Sequence, residues 1–427
     1  SVAFPSRDRS CFQLFAVSAW LQALSLTAAV GTLRLADSAG VAFDRGLVRD
    51  DRAYYLRFSN VFRADLGLQF SASELGASYG LRLTPDPLSL EVSPFHTGEL
   101  RYVYATPRFV LSITETGGIG EQTFLGAARV SPISTLAPAP APGFPAPSTP
   151  TLATSSAIDS SLLPGALTLS LISSRTAAAA SYRWERRLGS VLSAGYQVYG
   201  GLGRDAQRYL ALQHTVDGSI SVDYGISART SLVSALVAAH GWSSSDVRYT
   251  LFTLSESVQY KWSATTNADA GVGISSRASE VPDDATRIVT TPVAAVGVTH
   301  HLGGRDLSGS LRFQLTYAPV VDALTARIQN RLVALGSAGM TQGDLRAGVS
   351  LTASQAIPTD APGAVSSVTA GAYGGYQLNS WLGATLHAQV TRQELQTTGL
   401  PAGSITPSGV VWGVYAGLYA VSPTWRF

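Results

Sequence analysis

The sequence predicts an all-β fold: a closed antiparallel β-barrel that crosses a membrane with about sixteen strands, in a range of roughly 14–20. Three observations predict it. Apolar and polar residues alternate over most of the chain, short and long connections alternate between the segments, and charges are sparse. Charged residues make up 14% and hydrophobic residues 45% of the chain. These charges are too few for an ordinary soluble domain of this size, and the apolar residues cluster too little for helical membrane spans.

Alternation is the evidence for the individual strands. From Thr176 onward, about thirteen segments of roughly ten residues place apolar side chains on one face, which is the length that a tilted strand needs to cross a bilayer. The clearest segments are 345–354 and 382–390. Residues 53–128 alternate in the same way and predict about three to five further strands. A soluble sandwich also alternates, so the number of consecutive segments carries the prediction.

The connections give a second, independent signal, because membrane barrels have short turns at one end and longer loops at the other. Counting back from the C-terminus, short and long connections alternate. The short ones are 378–381, 263–267, 227–230 and 186–190, and the long ones are 394–409, 357–366 and 277–286. Two connections fit less well, since 319–322 is too short for its side and 336–344 is somewhat long.

The end of the chain resembles the closing strand of bacterial outer-membrane β-barrel proteins. It places Tyr419, Val421, Pro423, Trp425 and Phe427 on alternate positions, with a terminal aromatic residue. The resemblance covers about four fifths of the chain and is to an architectural class, so it implies no substrate. It implies a location in the bacterial outer membrane and insertion by the barrel-assembly machinery through the C-terminal strand.

The expected partners follow from this class and from the charge. They are the lipid bilayer and lipopolysaccharide, with a homo-oligomer or other envelope proteins as further candidates. A net charge of +2 gives no reason to expect nucleic acid.

Aromatic residues support the same orientation. Trp262, Trp381, Trp425 and Phe427 fall beside the predicted periplasmic ends of strands, where amphipathic rings form a girdle at the headgroup level. Trp242 falls at the opposite rim. Scattered core aromatics of a soluble β protein are the alternative.

The predicted domain organisation is an N-terminal segment, residues 1–46, followed by the barrel, residues 47–427. Phe12 to Val30 is apolar and follows two arginines, so the segment resembles a secretory signal peptide; a helix that plugs or flanks the barrel is the alternative. The Pro-rich run at 137–150 is predicted to belong to an extracellular loop at 131–174 within the barrel. An interdomain linker is the competing interpretation.

Candidate lumen residues fall on the polar register of the strands. The candidates for solute selectivity are Arg312, Arg327, Arg331, Arg346, Gln314, Gln329 and His387. Guanidinium groups in a confined channel raise the local concentration of anions. In the competing interpretation, these arginines pair with acids such as Glu185 or Asp223 and only fill the interior.

Motifs for other chemistry are scarce. The sequence has no phosphate-binding glycine loop, no paired cysteines and no zinc-protease histidine spacing, so no cofactor, metal site or catalytic residue is predicted. His387 beside a serine could act as the base of a hydrolase, but serines are too common here to support that. The pair His300 and His301, at a predicted strand end, is predicted to be a solvated turn pair, with a weak metal site as the alternative.

An acidic external loop is the candidate cation site. It contains Glu280, Asp283 and Asp284, whose carboxylates could bind calcium or cations that bridge lipopolysaccharide. A solvated loop is the default interpretation.

The leading functional hypothesis is a porin-like outer-membrane channel for small solutes with an anion preference, and not an enzyme. A structural or adhesive barrel, plugged by residues 12–46 and binding a partner through its loops, is the second hypothesis. An autotransporter translocator, with about the last 250 residues as pore and the first part as passenger, is the third.

Replacing Arg312, Arg327 and Arg346 together with Ser is expected to shift ion selectivity toward cations, because three positive charges leave the lumen. Reversal potentials across planar bilayers under a salt gradient measure this shift. Unchanged reversal potentials would contradict the proposed role.

Overall fold

The computed structural model describes residues 30–45, 54–85, 92–124, 167–280, 287–304, 307–321, 328–357, 365–395 and 409–426. In these residues the chain forms one closed antiparallel sheet and one short helix. The strands are β1 Val30–Arg45, β2 Tyr54–Gln69, β3 Ser73–Pro85, β4 Val92–Ala105, β5 Phe109–Phe124, β6 Leu167–Arg183, β7 Leu188–Gly201, β8 Gln213–Gly225, β9 Thr230–Ser243, β10 Arg248–Lys261, β11 Thr266–Glu280, β12 Arg287–Gly303, β13 Leu307–Val321, β14 Ile328–Gln342, β15 Leu345–Ile357, β16 Val365–Gln377, β17 Leu382–Leu395, β18 Gly409–Val421 and β19 Trp425–Arg426. The helix, α1, is Arg204–Tyr209, between β7 and β8. No helix in these ranges is long and apolar enough to cross a membrane.

The predicted fold is confirmed. Each strand from β1 to β18 pairs with its neighbours in sequence, and β1 also pairs with β18 and β19, which closes the barrel. Eighteen long strands lie within the expected range. Strands β6 to β18 are the thirteen expected after Thr176, and β2 to β5 fall within the expected three to five.

Side chains alternate between a lipid face and a lumen face. On β15, Val349 and Leu351 are 56% and 53% exposed on the outside, while Ser350 and Thr352, at the alternate positions, point inward. The lumen face is identified by contacts that skip a strand, which only the concave side permits. The hydroxyls of Thr215 on β8 and Tyr249 on β10, for example, lie 2.6 Å apart.

Polar side chains on the lipid face have partners across neighbouring strands. Glu256, which interrupts the apolar register of β10, accepts a hydrogen bond from Ser234 (2.8 Å). Asn60 donates to Asp37 (3.1 Å). Because an unpaired polar group costs on the order of several kcal/mol in hydrocarbon, these pairs lower the penalty of placing polar residues there.

The N-terminal boundary predicted at residue 46 is wrong for residues 30–45, because they form β1. This strand pairs with β2 along its whole length and with β18 from Ala36 to Arg45. Residues 30–45 therefore cannot be a plug. Since β1 to β5 belong to the barrel, the first part of the described chain is not an autotransporter passenger. Residues 1–29, the remainder of the predicted signal-like segment, lie outside the described ranges.

The unbroken alternation predicted for residues 419–427 is also corrected. Ala36 pairs with Val421 but Leu33 pairs with Trp425, so three residues of the C-terminal segment oppose two residues of β1. This extra residue is a β-bulge, which reverses the alternation. Tyr419 and Val421 therefore face the lumen and Trp425 faces the lipid. Without the bulge, a strict period of two would have put Tyr419, Val421 and Trp425 on the same face.

The two ends of the barrel differ as expected. The turns that follow the even-numbered strands β2 to β16 are short, and both described termini lie at that end, the periplasmic end of such barrels. Trp262, Trp381 and Trp425 lie at this end and are 71%, 53% and 45% exposed. Phe427 lies outside the described residues. The contacts with lipopolysaccharide and the assembly machinery stay predictions.

The two connections that fitted the predicted alternation of short and long connections less well, 319–322 and 336–344, are explained by strand ends that differ from the predicted ones. Strand β13 extends to Val321 and β14 begins at Ile328, so the outer connection is longer than 319–322. The turn between β14 and β15 is only 343–344, shorter than 336–344. The predicted extracellular loop at 131–174 is too long, because β6 begins at Leu167. Residues 131–166, including the Pro-rich run, lie outside the described ranges.

Replacing Gly40 with Val is expected to destabilise the barrel. Gly40 lies in the closing seam, and the ring of Tyr415 lies on the lumen side of Gly40 and Gly417, where a side chain would overlap it. Overpacking of this kind costs about 1–3 kcal/mol. Heat-modifiable migration in detergent gels should then be lost at a lower temperature. The control is Ala39→Val on the lipid face of β1; equal effects of the two variants would contradict the seam argument.

Candidate functional site: the barrel lumen

The lumen has an excess of basic side chains over acidic ones. Among the described side chains on the lumen face of β1 to β18, the basic residues are Arg34, Arg63, Arg82, Arg101, Arg175, Arg183, Lys261, Arg277, Arg312, Arg331 and Arg346, and the acidic residues are Asp65, Glu74, Glu99, Asp217, Asp223 and Asp269. Some are paired: Arg63 contacts Asp65 (2.6 Å), and Arg175 contacts Asp217 (3.4 Å). Pairing with acids therefore accounts for part of the interior charge, with partners other than those expected.

The predicted selectivity residues face the lumen but do not form one cluster. Arg312, Gln314, Gln329, Arg331 and Arg346 are all on the inner face, and Arg327 lies outside the described residues. Arg331 is near the outer end of β14. The residue of β14 opposite Arg312 lies six positions further along, about 20 Å away at a strand rise of about 3.3 Å per residue. Arg346 lies next to the periplasmic turn.

Their environments differ as well. Arg331 is only 1% exposed and donates to Ser354 (3.4 Å) and Gln329 (3.5 Å). Arg312 is exposed to the lumen and donates to Gln314 (2.8 Å). Arg331 thus has a structural position in the wall, whereas Arg312 and Arg346 are accessible to a solute. Sequence register alone could not separate them, because it does not include height in the barrel or burial by other elements.

An apolar cluster fills one side of the lumen near its outer mouth. Helix α1 packs on the inner face of β7, where the absence of a side chain at Gly201 allows close approach to the backbone of Ala206. Leu210, at the end of α1, is fully buried. The cluster, named here the outer cluster, consists of Tyr199, Ala206, Leu210, Ala239, Tyr249, Leu251, Val321 and Ile328.

The outer ends of β13 and β14 lean into the barrel to join the outer cluster. Val321 and Ile328 contact elements from β7 to β10, although five strands, β8 to β12, separate β7 from β13 along the wall. Residues 328–331 are all buried, so both faces of β14 are covered at this end.

The side chain of Arg277 on β11, named here the latch, holds these strand ends in place by hydrogen bonds. Arg277 donates to the carbonyl oxygen of Ile328 (3.1 Å) and to Oδ1 of Asn330 (3.1 Å). Thr291 also donates to Asn330 (3.5 Å). The alternation of apolar and polar residues did not predict this constriction. The signal for it in the sequence is the loss of alternation at the outer ends of β13 and β14.

The opposite side of the lumen is uncharged. The lumen face of β16 to β18, named here the neutral wall, has no described Asp, Glu, Arg or Lys side chain. Its members are Ser367, Thr369, Gly371, Tyr373, Gly375, Gln377, Gly383, Thr385, His387, Gln389, Thr391, Gln393, Val411, Gly413, Tyr415, Gly417, Tyr419 and Val421. This wall offers hydroxyl and amide groups between glycines, which leave it flat.

The side chains of the histidines singled out from the sequence lie apart from one another in the barrel. His387 lies on the neutral wall between Tyr373 and Tyr415, with ring centroids 6.1 Å from each. Within the described ranges no serine is hydrogen-bonded to it, so the hydrolase alternative gains no support. His300 points to the lipid and His301 to the lumen, so the two cannot bind one ion together.

The candidate cation loop remains a prediction. Glu280 ends β11, and Asp283 and Asp284 lie outside the described residues. No group of three metal-ligating side chains occurs in the part of the chain that the structure describes.

Comparison with solved structures shows the barrel fold. The chain is similar to the FrpB iron transporter from Neisseria meningitidis, F3-3 variant, with a TM-score of 0.50 at 10% identity over 91% of this chain and 66% of that chain. The F5-1 variant gives a TM-score of 0.50 at 10% identity over 90% and 65%. The chain thus spans slightly less than two thirds of these transporters. OccAB4 of Acinetobacter baumannii is also similar, with a TM-score of 0.45 at 10% identity over 94% and 99%.

Comparison at the level of sequence identifies a family. A family model described as the EpsX exopolysaccharide export family matches residues 120–412, more than half of the chain. No curated protein sequence matches. With the closed barrel and its apolar outer surface, this result places the protein in the bacterial outer membrane, as the resemblance of the C-terminal strand predicted.

Replacing Arg277 with Ala is expected to widen the outer mouth, because Ile328 and Asn330 lose a charged donor, and hydrogen bonds to charged groups are worth about 1.5–3 kcal/mol each. The expected result is a higher or noisier single-channel conductance in planar bilayers. Arg392→Ala is the control, since Arg392 is on the outer surface and pairs with Glu394 (2.8 Å). A wild-type conductance in the Arg277 variant would contradict the latch.

Proposed function

The chain belongs to the EpsX exopolysaccharide export family, and we propose that it is the outer-membrane channel through which an exopolysaccharide chain leaves the cell. The single observation that carries the proposal is the neutral wall, a continuous polar surface on the inside of a closed eighteen-stranded barrel. Barrels of about this strand number leave an aqueous channel. The proposal narrows the general expectation of small-solute passage to a polymer of sugars.

The chemistry of the neutral wall suits a moving polyhydroxylated chain. Hydroxyl and amide groups both donate and accept hydrogen bonds, so they can exchange partners with successive sugars. Thr369 and Thr391 lie 3.0 Å apart, and Gln389 donates to Thr391 (3.5 Å). Conduction requires sites that are weak and multiple, and neutral hydrogen bonds meet this requirement better than ion pairs.

The outer cluster restricts where such a chain can pass. It occupies the side of the mouth near β7 to β10, together with the outer ends of β13 and β14. Among the described residues, the path that the outer cluster leaves open is on the side of β15 to β18 and β1 to β5, which includes the neutral wall. A single extended chain needs only part of the width of the barrel.

The excess of lumen arginines supports an anion preference. Positive side chains around a narrow aqueous path raise the local concentration of anions. An acidic polysaccharide would be attracted into the lumen by this field and would still slide along the uncharged wall. The role of Arg312 and Arg346 in this preference stays a prediction.

Blocking the lumen chemically tests the proposal. Ser350 is exposed on the lumen face of β15, and Val349 beside it faces the lipid. In a Cys11→Ser background, modification of Ser350→Cys with a polyethylene-glycol maleimide is expected to reduce both the steady current in planar bilayers and the release of exopolysaccharide from cells by more than half, because the adduct occupies the channel.

The matched control is Val349→Cys treated with the same reagent, which should leave current and release unchanged. The absence of any steady current from the unmodified barrel would overturn the channel proposal in favour of a plugged barrel. A modified Ser350 variant that loses current but releases polymer normally would show that the polymer takes another route.

A further inference from the structure

Four lumen tyrosines lie over glycines of the wall. A side-chain carbon at the glycine would overlap the tyrosine ring in each case, which shows that the ring lies against the strand. The pairs are Tyr249 over Gly241, Tyr373 over Gly348, Tyr415 over Gly40 and Gly417, and Tyr419 over Gly383. Covering an exposed glycine with an aromatic ring stabilises a strand, so all four have a structural role.

Burial separates these tyrosines into two groups. Tyr249 is 3% exposed in the outer cluster and Tyr415 is 5% exposed at the seam, so both rings are covered on their second side. Tyr373 is 38% exposed, and Tyr419 is partly exposed. Both lie on the neutral wall.

The position of the Tyr373 ring explains its open face. The ring leans from β16 over Gly348 on β15, and its hydroxyl approaches Gly339 on β14. With one face on glycines of the wall, the other is left toward the lumen. A flat aromatic face, electron-rich at its centre, attracts the polarised C–H groups on the face of a sugar ring.

Tyr419 provides a second such surface at a different height. It lies over Gly383 on β17, and its hydroxyl donates to Gln377 on β16 (2.7 Å). Gln377 is four residues from Tyr373 along the same strand, about 13 Å at a rise of about 3.3 Å per residue. The two rings are therefore separate contact sites, one after the other along the direction in which the polysaccharide moves.

We propose that Tyr373 and Tyr419 are sugar-stacking sites, each holding one pyranose ring of the passing polysaccharide against the neutral wall. This inference rests on the proposed function. It adds to that function the residues that contact the polysaccharide and the type of contact. Ring stacking of this type does not depend on the charge of the sugar. Between these two sites Thr385 lies in the lumen register and supplies a hydroxyl group, and His387 is level with Tyr373 on the neighbouring strand.

Oligosaccharide block of single-channel current tests the inference. Maltohexaose is used as the probe because it is neutral, so that stacking is separated from attraction by the arginines. In wild type it should interrupt the current with measurable residence times. Tyr373→Leu removes the flat face and is expected to shorten the residence time by roughly two- to tenfold, the range of aromatic contact energies. Tyr373→Phe keeps the ring and should retain most of the block.

Two controls keep the result specific. Tyr376→Leu changes a tyrosine on the same strand that faces the lipid and is 51% exposed; it should not alter the block. The heat-modifiable migration of every variant shows whether the barrel is folded. Tyr419→Leu should act in the same direction as Tyr373→Leu.

The outcomes separate this inference from the proposed function. A folded wild-type barrel without steady current would overturn the channel itself. A conducting wild type that maltohexaose does not block, or a Tyr373→Leu variant whose residence times equal those of wild type, would overturn the stacking sites and leave the channel intact.

Discussion

The structure depends on one constraint: inside hydrocarbon, every backbone amide and carbonyl must find its partner within the protein. A sheet satisfies this only if its first and last strands meet, and here β1 and β18 do so over Ala36 to Arg45. The seam explains why the start of the described chain belongs to the barrel, and why Tyr415 is packed against Gly40 and Gly417. It also explains the short β19, which continues the pairing beyond a bulge.

Closure leaves the lumen free to become asymmetric. The lipid face must stay apolar around the whole circumference, with polar exceptions paired, but no such rule acts on the inner face. One side of the lumen has therefore become a packed cluster with α1 and the ends of β13 and β14, and another has become the neutral wall. The basic residues lie mostly elsewhere on the circumference. A polymer channel can use each part separately, for narrowing the mouth, for sliding contact and for attraction of anions.

Glycine links wall stability to recognition. Lumen glycines make the wall flat, and tyrosines that cover them restore the packing that glycine lacks. Where another element covers the tyrosine, as at Tyr249, the ring is only structural. Where nothing described covers it, as at Tyr373, the ring that stabilises the strand also faces the substrate path. Stability and sugar contact then come from the same side chain, because the two faces of an aromatic ring are both available for contact.

The sequence by itself determined the fold class, the approximate strand number, the orientation and the inner face of Arg312, Gln314 and Arg346, because alternation with a period of two is a local property that the lipid and water impose on every strand. Only the tertiary structure decided what happens where this period is interrupted. The bulge at Ser422 to Thr424 turned Tyr419 inward, the inward lean of β14 buried Arg331, and α1 filled one side of the mouth. Each of these depends on contacts between residues far apart in the chain, which a local pattern does not contain.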